Sequence, residues 1–159
     1  YSKLFAAIEE EKPRGVFLGG DLLPHHWAER LGGGGFIEDV LVAGFVSLRE
    51  KFANAAPRVF IILGNDDDRA SEQTFIEGDG AGLWSYAHER WGSLDSHPVV
   101  GYAYVPPTPF LLKDWERYDV SRYVDVGSTA PTSGWRSVPM TERDTSIRTI
   151  QQELQQLVP

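Results

Sequence analysis

Apolar and polar positions alternate between two periodicities along the first seventy residues. Leu4, Phe5 and Ile8, with Ala7 between them, fall on one face at helical spacing, and Glu9, Glu10, Glu11 and Lys12 close the segment before Pro13. A first helix is predicted there. Gly15-Val16-Phe17-Leu18-Gly19 is instead a continuous apolar run ended by glycine, as expected for a short strand buried on both faces in a parallel sheet. Ile37, Val40, Leu41, Phe45, Leu48 and Phe52 return to three- and four-residue steps, predicting a second helix, and Pro57 closes the connection. Arg58-Val59-Phe60-Ile61-Ile62-Leu63, β-branched and aromatic, is the strongest strand signal in the chain.

The remainder is less regular. Residues 71–92 read as helix interrupted by Gly78-Asp79-Gly80-Ala81-Gly82, residues 99–105 as a strand broken by Pro106, Pro107 and Pro109, and residues 119–137 as mostly irregular. Ile147, Ile150, Leu154 and Leu157 form the stripe of a last helix, with Asp144 or Thr145 as its N-cap. The order helix, strand, helix, strand implies a right-handed crossover between parallel neighbours. The predicted fold class is therefore α/β, a layered sheet with flanking helices. It forms one domain over residues 1–159, with 71–137 as an insert or cap-like segment. The chain opens inside a helical pattern without Met and stops directly after another helix, so both ends read as truncated.

Composition narrows the chemistry. With 159 residues, 42% of them hydrophobic, the chain can bury a real core. It has no cysteine, which excludes a disulfide scaffold, a thiolate metal site and a cysteine nucleophile, so any metal must be held by oxygen or imidazole. A net charge of −8 disfavours a surface for the phosphate backbone, and no stable nucleic-acid partner is expected. No apolar run approaches the ~20 residues of a membrane span, so the expectation is a soluble, cytoplasmic protein with no membrane partner. Oligomeric state is not legible.

Both predicted strands run into acidic loops, Gly19-Gly20-Asp21 and Gly64-Asn65-Asp66-Asp67-Asp68, which the crossover brings to one edge of the sheet, where ligands of open α/β sheets bind. A divalent cation that activates water needs hard oxygen ligands on a rigid scaffold. Asp21 could bridge two cations, and the Asn65 carboxamide could ligate one without adding charge. Three consecutive aspartates repel one another unless a cation or base is near, and Arg69 offsets only part of this. Either loop alone is more often a cap or an Asx turn. The pairing of the two carries the reading.

Together, Gly20-Asp21 and Gly64-Asn65-Asp66-Asp67 resemble the second and third motifs, Gly-Asp and Gly-Asn-His-Asp, of the calcineurin-like metallophosphoesterase family, over roughly residues 1–69. The resemblance implies the N-terminal part of an α/β-β/α sandwich, and hydrolysis of phosphomonoesters or phosphodiesters at a dinuclear centre of Mn, Fe or Zn. It further implies Asp21 bridging the metals, Asn65 ligating the second, and Asp67 supporting them from behind. The family's Asp-x-His motif and its two later His motifs are absent, so this chain alone holds too few ligands for a complete centre. Asp66 stands where the family has a catalytic histidine. An ordinary aspartate, pKa ~3.9, is ionised at neutral pH and cannot protonate a leaving oxygen as histidine can. A raised Asp66 pKa, good leaving groups or weak catalysis is expected.

His25 and His26 follow Asp21 closely enough to contact substrate, although loop histidines are usually only solvated; His88 and His97 are weaker candidates. The 32–35 glycine run lacks Gly-Lys-Ser/Thr and reads as a flexible connection or lid. The aromatic and proline residues from Tyr102 to Phe110 read as a packed cap rather than a recognition segment, and Lys113-Asp114-Trp115-Glu116-Arg117-Tyr118 as either a substrate rim or a salt-bridged surface turn. The rival reading is a non-catalytic binding module, with a single structural cation at the acidic loops.

Overall fold

The computed structural model describes residues 1–24, 35–141 and 149–158. Helix α1 (Ser2–Glu11) leads into strand β1 (Gly15–Gly19). A π-helical turn (Ile37–Val42) runs directly into α2 (Ala43–Phe52), then β2 (Arg58–Ile62), α3 (Glu72–Gly80) and β3 (Ser85–Tyr86). An antiparallel hairpin, β4 (Trp91–Leu94) and β5 (His97–Val100), follows, and α4 (Ile150–Leu157) is last. The architecture is mixed α/β around a small parallel sheet in the order β1-β2-β3.

The crossover predicted from the sequence is present, with β1 and β2 parallel in a register pairing Gly15 with Arg58 and Gly19 with Ile62. Side chains alternate across a strand. Val16, Val59 and Ile61 therefore face α1 and α2, where they pack with Ile8, Leu41, Phe45 and Leu48 into the core. The opposite face carries Phe17 and Phe60, stacked at 5.2 Å. The hairpin covers that face over β2, with Gly92 against the Phe60 ring and Gly101 against Ile62.

Three expectations are corrected. β1 is not buried on both faces: it lies at the edge of the described sheet, and Phe17 is 58% exposed. The expected 71–92 helix ends at Gly80, and residues beyond it form β3 and β4. Gly78 admits the Trp84 indole against the helix, Trp84 donates its indole N–H to the Phe75 carbonyl at 2.8 Å, and Gly82 turns the chain in a left-handed conformation (φ +73°) so that Ser85 and Tyr86 can pair with β2. The expected 99–105 strand is β5, which runs only from His97 to Val100, with Pro98 tolerated in an edge hairpin opposite Ser93.

The last helix starts at Ile150, capped by Thr149, whose hydroxyl accepts from Gln152 N–H while the Gln152 side chain returns to Thr149 N–H. The expected caps Asp144 and Thr145, and Ile147 of the stripe, lie outside the described residues. Glu153, not Leu154, is the buried residue in the middle of this helix, because it meets Tyr102 and Arg117. Among the described residues no helix is long and apolar enough to cross a membrane.

Candidate functional site

Parallel pairing delivers the ends of β1 and β2 to one edge, and the two loops that follow touch through their backbones. Gly20 has φ +107°, and a Cβ there would stand 2.6 Å from the Gly64 Cα. A Cβ on Gly64 would overlap the backbone nitrogen and carboxylate of Asp21. Both glycines are required by this approach, Gly20 additionally by its φ. Leu22 and Leu63, one from each loop, are buried in the common core and fix the roots of the loops.

Asp67 ties the loops together. It is fully buried, with Oδ1 accepting from Leu22 N–H and Leu23 N–H at 2.8 Å each, and Oδ2 accepting from Gly64 N–H at 2.8 Å. Burial, with the Asp21 charge adding to it, holds this carboxyl above the ordinary carboxylate range against the three N–H donors that pull it down. Asp67 thus sits behind the loops.

Asp21 is exposed, with a left-handed backbone (φ +53°) that aspartate tolerates better than most side chains. Its Oδ1 accepts from Asp66 N–H at 3.2 Å. Asn65 is half-buried and Asp66 exposed. The structure therefore brings Asp21, Asn65, Asp66 and Asp67 together on adjoining loops. Within the Asp66 to Asp68 run, Asp67 takes three backbone N–H groups, and Asp68 Oδ1 accepts from Ser71 N–H at 2.8 Å and Ser71 Oγ–H at 2.9 Å.

An ionised carboxylate has about four lone-pair directions, so one N–H contact leaves Asp21 able to ligate. Asn65 carries a carboxamide oxygen on the adjoining loop, and carboxylate and carboxamide oxygens are donors of the kind that a hard or borderline divalent ion takes. Among the described residues no group of three or more His, Asp or Glu gathers as a metal site.

His25 and His26 lie outside the described residues. His88, just past β3, is buried in an aromatic cluster, its ring 5.1 Å from both Tyr104 and Trp115, and its Nδ1 accepts from Ala103 N–H at 3.1 Å. His97 is exposed on the hairpin.

The larger surprise lies in residues 113–118, which are neither a rim nor a surface turn. Lys113, Asp114, Trp115 and Glu116 are fully buried, and Arg117 nearly so. Lys113 Nζ pairs with Glu116 Oε2 at 2.5 Å and donates to the Thr108 carbonyl at 2.9 Å, while Glu116 accepts from Thr108 N–H and Oγ–H. Asp114 accepts from Arg69 N–H at 2.8 Å, one residue past the acidic run. The hint in the sequence is the pairing of opposite charges on either side of Trp115.

No family model matches the chain, and neither a curated protein nor a solved structure matches it significantly.

Proposed function

We propose that this chain contributes part of a metal-dependent phosphoesterase site of the calcineurin-like type, with Asp21 and Asn65 as ligands. The observation that carries the reading is the backbone contact of the two glycine-led acidic loops at the carboxyl edge of paired parallel strands, with Asp21 Oδ1 on Asp66 N–H. When bound, a pair of divalent cations supplies activated water and neutralises charge on the phosphoryl oxygens. Asp21 would bridge that pair, and Asn65 would hold the second ion, Mn, Fe or Zn. Asp67 fixes both loops by accepting Gly64, Leu22 and Leu23 N–H groups, so that the ligands need not reorganise on binding. Asp66 lines the exposed rim in the position of the family's acid. This reading favours phosphomonoesters or phosphodiesters whose leaving groups depart without a proton.

The test uses the full chain with Mn²⁺ and two nitrophenyl phosphates, a monoester and a diester. Asp21→Asn and Asn65→Ala should fold normally by circular dichroism and weaken Mn²⁺ binding, and with it any hydrolysis, at least 100-fold, more than the loss of a residue that only orients ligands. Because the chain carries only part of the ligand set, the deciding readout is the metal: a wild-type chain that does not bind Mn²⁺ would sink the proposal. One observation favours a second reading, a non-catalytic module with one structural cation: Asp67 and Asp68 each accept from the backbone of their own loop. Under that reading Asp21→Asn lowers thermal stability in Mn²⁺ and leaves no activity to lose. Residues 113–116 are buried, so a partner surface for such a module would have to lie elsewhere.

A further inference from the structure

Helix α3 is preceded by a tight 3₁₀ turn, Arg69–Ser71, that follows the acidic loop without a break. Of the three N–H groups of this turn, Ser71 N–H reaches the Asp68 carbonyl at 3.4 Å. The Asp68 carboxylate takes the same N–H. The other two are taken from a distance. Asp114 Oδ2 accepts from Arg69 N–H at 2.8 Å and from Ser137 Oγ–H at 2.5 Å, and Asp114 Oδ1 accepts from Ser137 N–H at 3.0 Å. Ser137 Oγ in turn accepts from Ala70 N–H at 2.9 Å. Asp114 is fully buried, and its segment is pinned by the Lys113–Glu116 pair and by Trp115, over which the Arg69 guanidinium lies at 5.5 Å.

We infer that Asp114 and Ser137 are positioning residues for the acidic loop. The loop is held at two points. On its near side Asp67 binds it to the Asp21 loop, and on its far side Asp114 and Ser137 fix the peptide groups of Arg69 and Ala70. Asn65 and Asp66 lie between Gly64 and Asp67, which the Asp67 carboxylate ties together, and Asp114 and Ser137 hold Arg69 and Ala70 just beyond, so the whole loop has little freedom to move. The 71–137 stretch is then part of the site's frame rather than a cap laid over it. Loss of one oxygen from Asp114 leaves a part-buried N–H facing an N–H donor, a fault that the turn relieves by opening. The effect on metal affinity rests on the phosphoesterase reading; the holding of the loop does not.

The experiment measures amide hydrogen exchange over residues 63–72, together with Mn²⁺ affinity by electron paramagnetic resonance, in the full chain and in D114N, S137A and L48A. Leu48 lies in the core on α2, and its truncation supplies a general loss of stability for comparison. D114N should speed exchange in residues 65–70 selectively and weaken Mn²⁺ binding by about 10-fold, the lower end for residues that orient metal ligands. S137A, which spares the contact of Asp114 with Arg69, should show a smaller loosening of the same amides, about 3-fold. If D114N fails to fold, S137A carries the test alone. Exchange in D114N and S137A that rises no more over residues 65–70 than in L48A overturns the proposal, whatever Mn²⁺ does. Selective loosening in a chain that binds no Mn²⁺ upholds the positioning role and removes the phosphoesterase reading. Unchanged loop exchange with tight Mn²⁺ binding does the reverse.

Discussion

The buried Asp67 carboxylate spans the two acidic loops, alongside the longer contact of Asp21 Oδ1 with Asp66 N–H. Asp67 accepts three backbone N–H groups from two loops and has no exposure to water. Asp67→Asn keeps the shape but replaces one acceptor oxygen with a donor, so either Gly64 or the Leu22–Leu23 pair loses its partner. Leaving such a group buried costs about 1–3 kcal/mol. Denaturant unfolding of the variant should show that loss, and a midpoint equal to wild type would mean that Asp67 is not the tie. At this scale the sequence was informative about which residues matter and less so about why. Gly20, Asp21, Gly64, Asn65 and Asp67 could be picked out because glycine before a carboxylate at a strand's end is a local pattern. The satisfaction of Asp67 and Asp68 by backbone donors could not, since those donors belong to a fold that must already exist.

Elements were legible where periodicity was strong and the partner lay near in sequence. Helix α1, helix α2 and strand β2 stand where the apolar spacing predicts them, and the parallel register of β1 with β2 follows from the crossover between them. The chain after Gly80 was misread as helix because β3 takes its conformation from pairing with β2, more than twenty residues earlier, and a two-residue strand has no periodicity to detect. The glycines that interrupt the helical pattern have a packing cause: Gly78 makes room for the Trp84 ring, which closes the core against Phe45 and Phe75. Gly78→Ala would normally favour a helix. Here the added methyl overlaps the indole, so the substitution should destabilise by about 1–3 kcal/mol, as in overpacked cores. Thermal unfolding checks the sign, and a gain in stability would show that the helix and Trp84 can separate without loss.

Across the whole molecule, residues distant in sequence meet in polar contacts buried behind the sheet, and this is the level the sequence conveyed least. Charged side chains in a run such as 113–117 normally mark a surface, and partners such as Thr108, Arg69, Ser137, Tyr104 and Glu153 make their burial tolerable. The same packing holds phenols next to carboxylates. Tyr86 donates to Glu72 at 2.9 Å and Tyr102 to Glu153 at 2.7 Å. Burial, reinforced in each case by the neighbouring glutamate, pushes both phenols well above their ordinary value, and burial with the Asp67 charge pushes Tyr1 up to about 12. In the unfolded chain these groups ionise near ~10. The folded form holds their protons more tightly, so the associated stability is fully present below pH ~10 and is lost as pH rises through the folded values. Alkali should therefore unfold the protein and ionise these tyrosines in one step. Absorbance of tyrosinate at 295 nm and circular dichroism, followed together from pH 9 upward, should change in concert for these residues. Tyr102→Phe removes a buried phenol and should flatten the alkaline loss of stability, at the cost of leaving Glu153 with one donor fewer. Tyrosinate signal from Tyr86 and Tyr102 appearing near pH ~10 with the fold intact would show that the two carboxylates do not hold these phenols neutral.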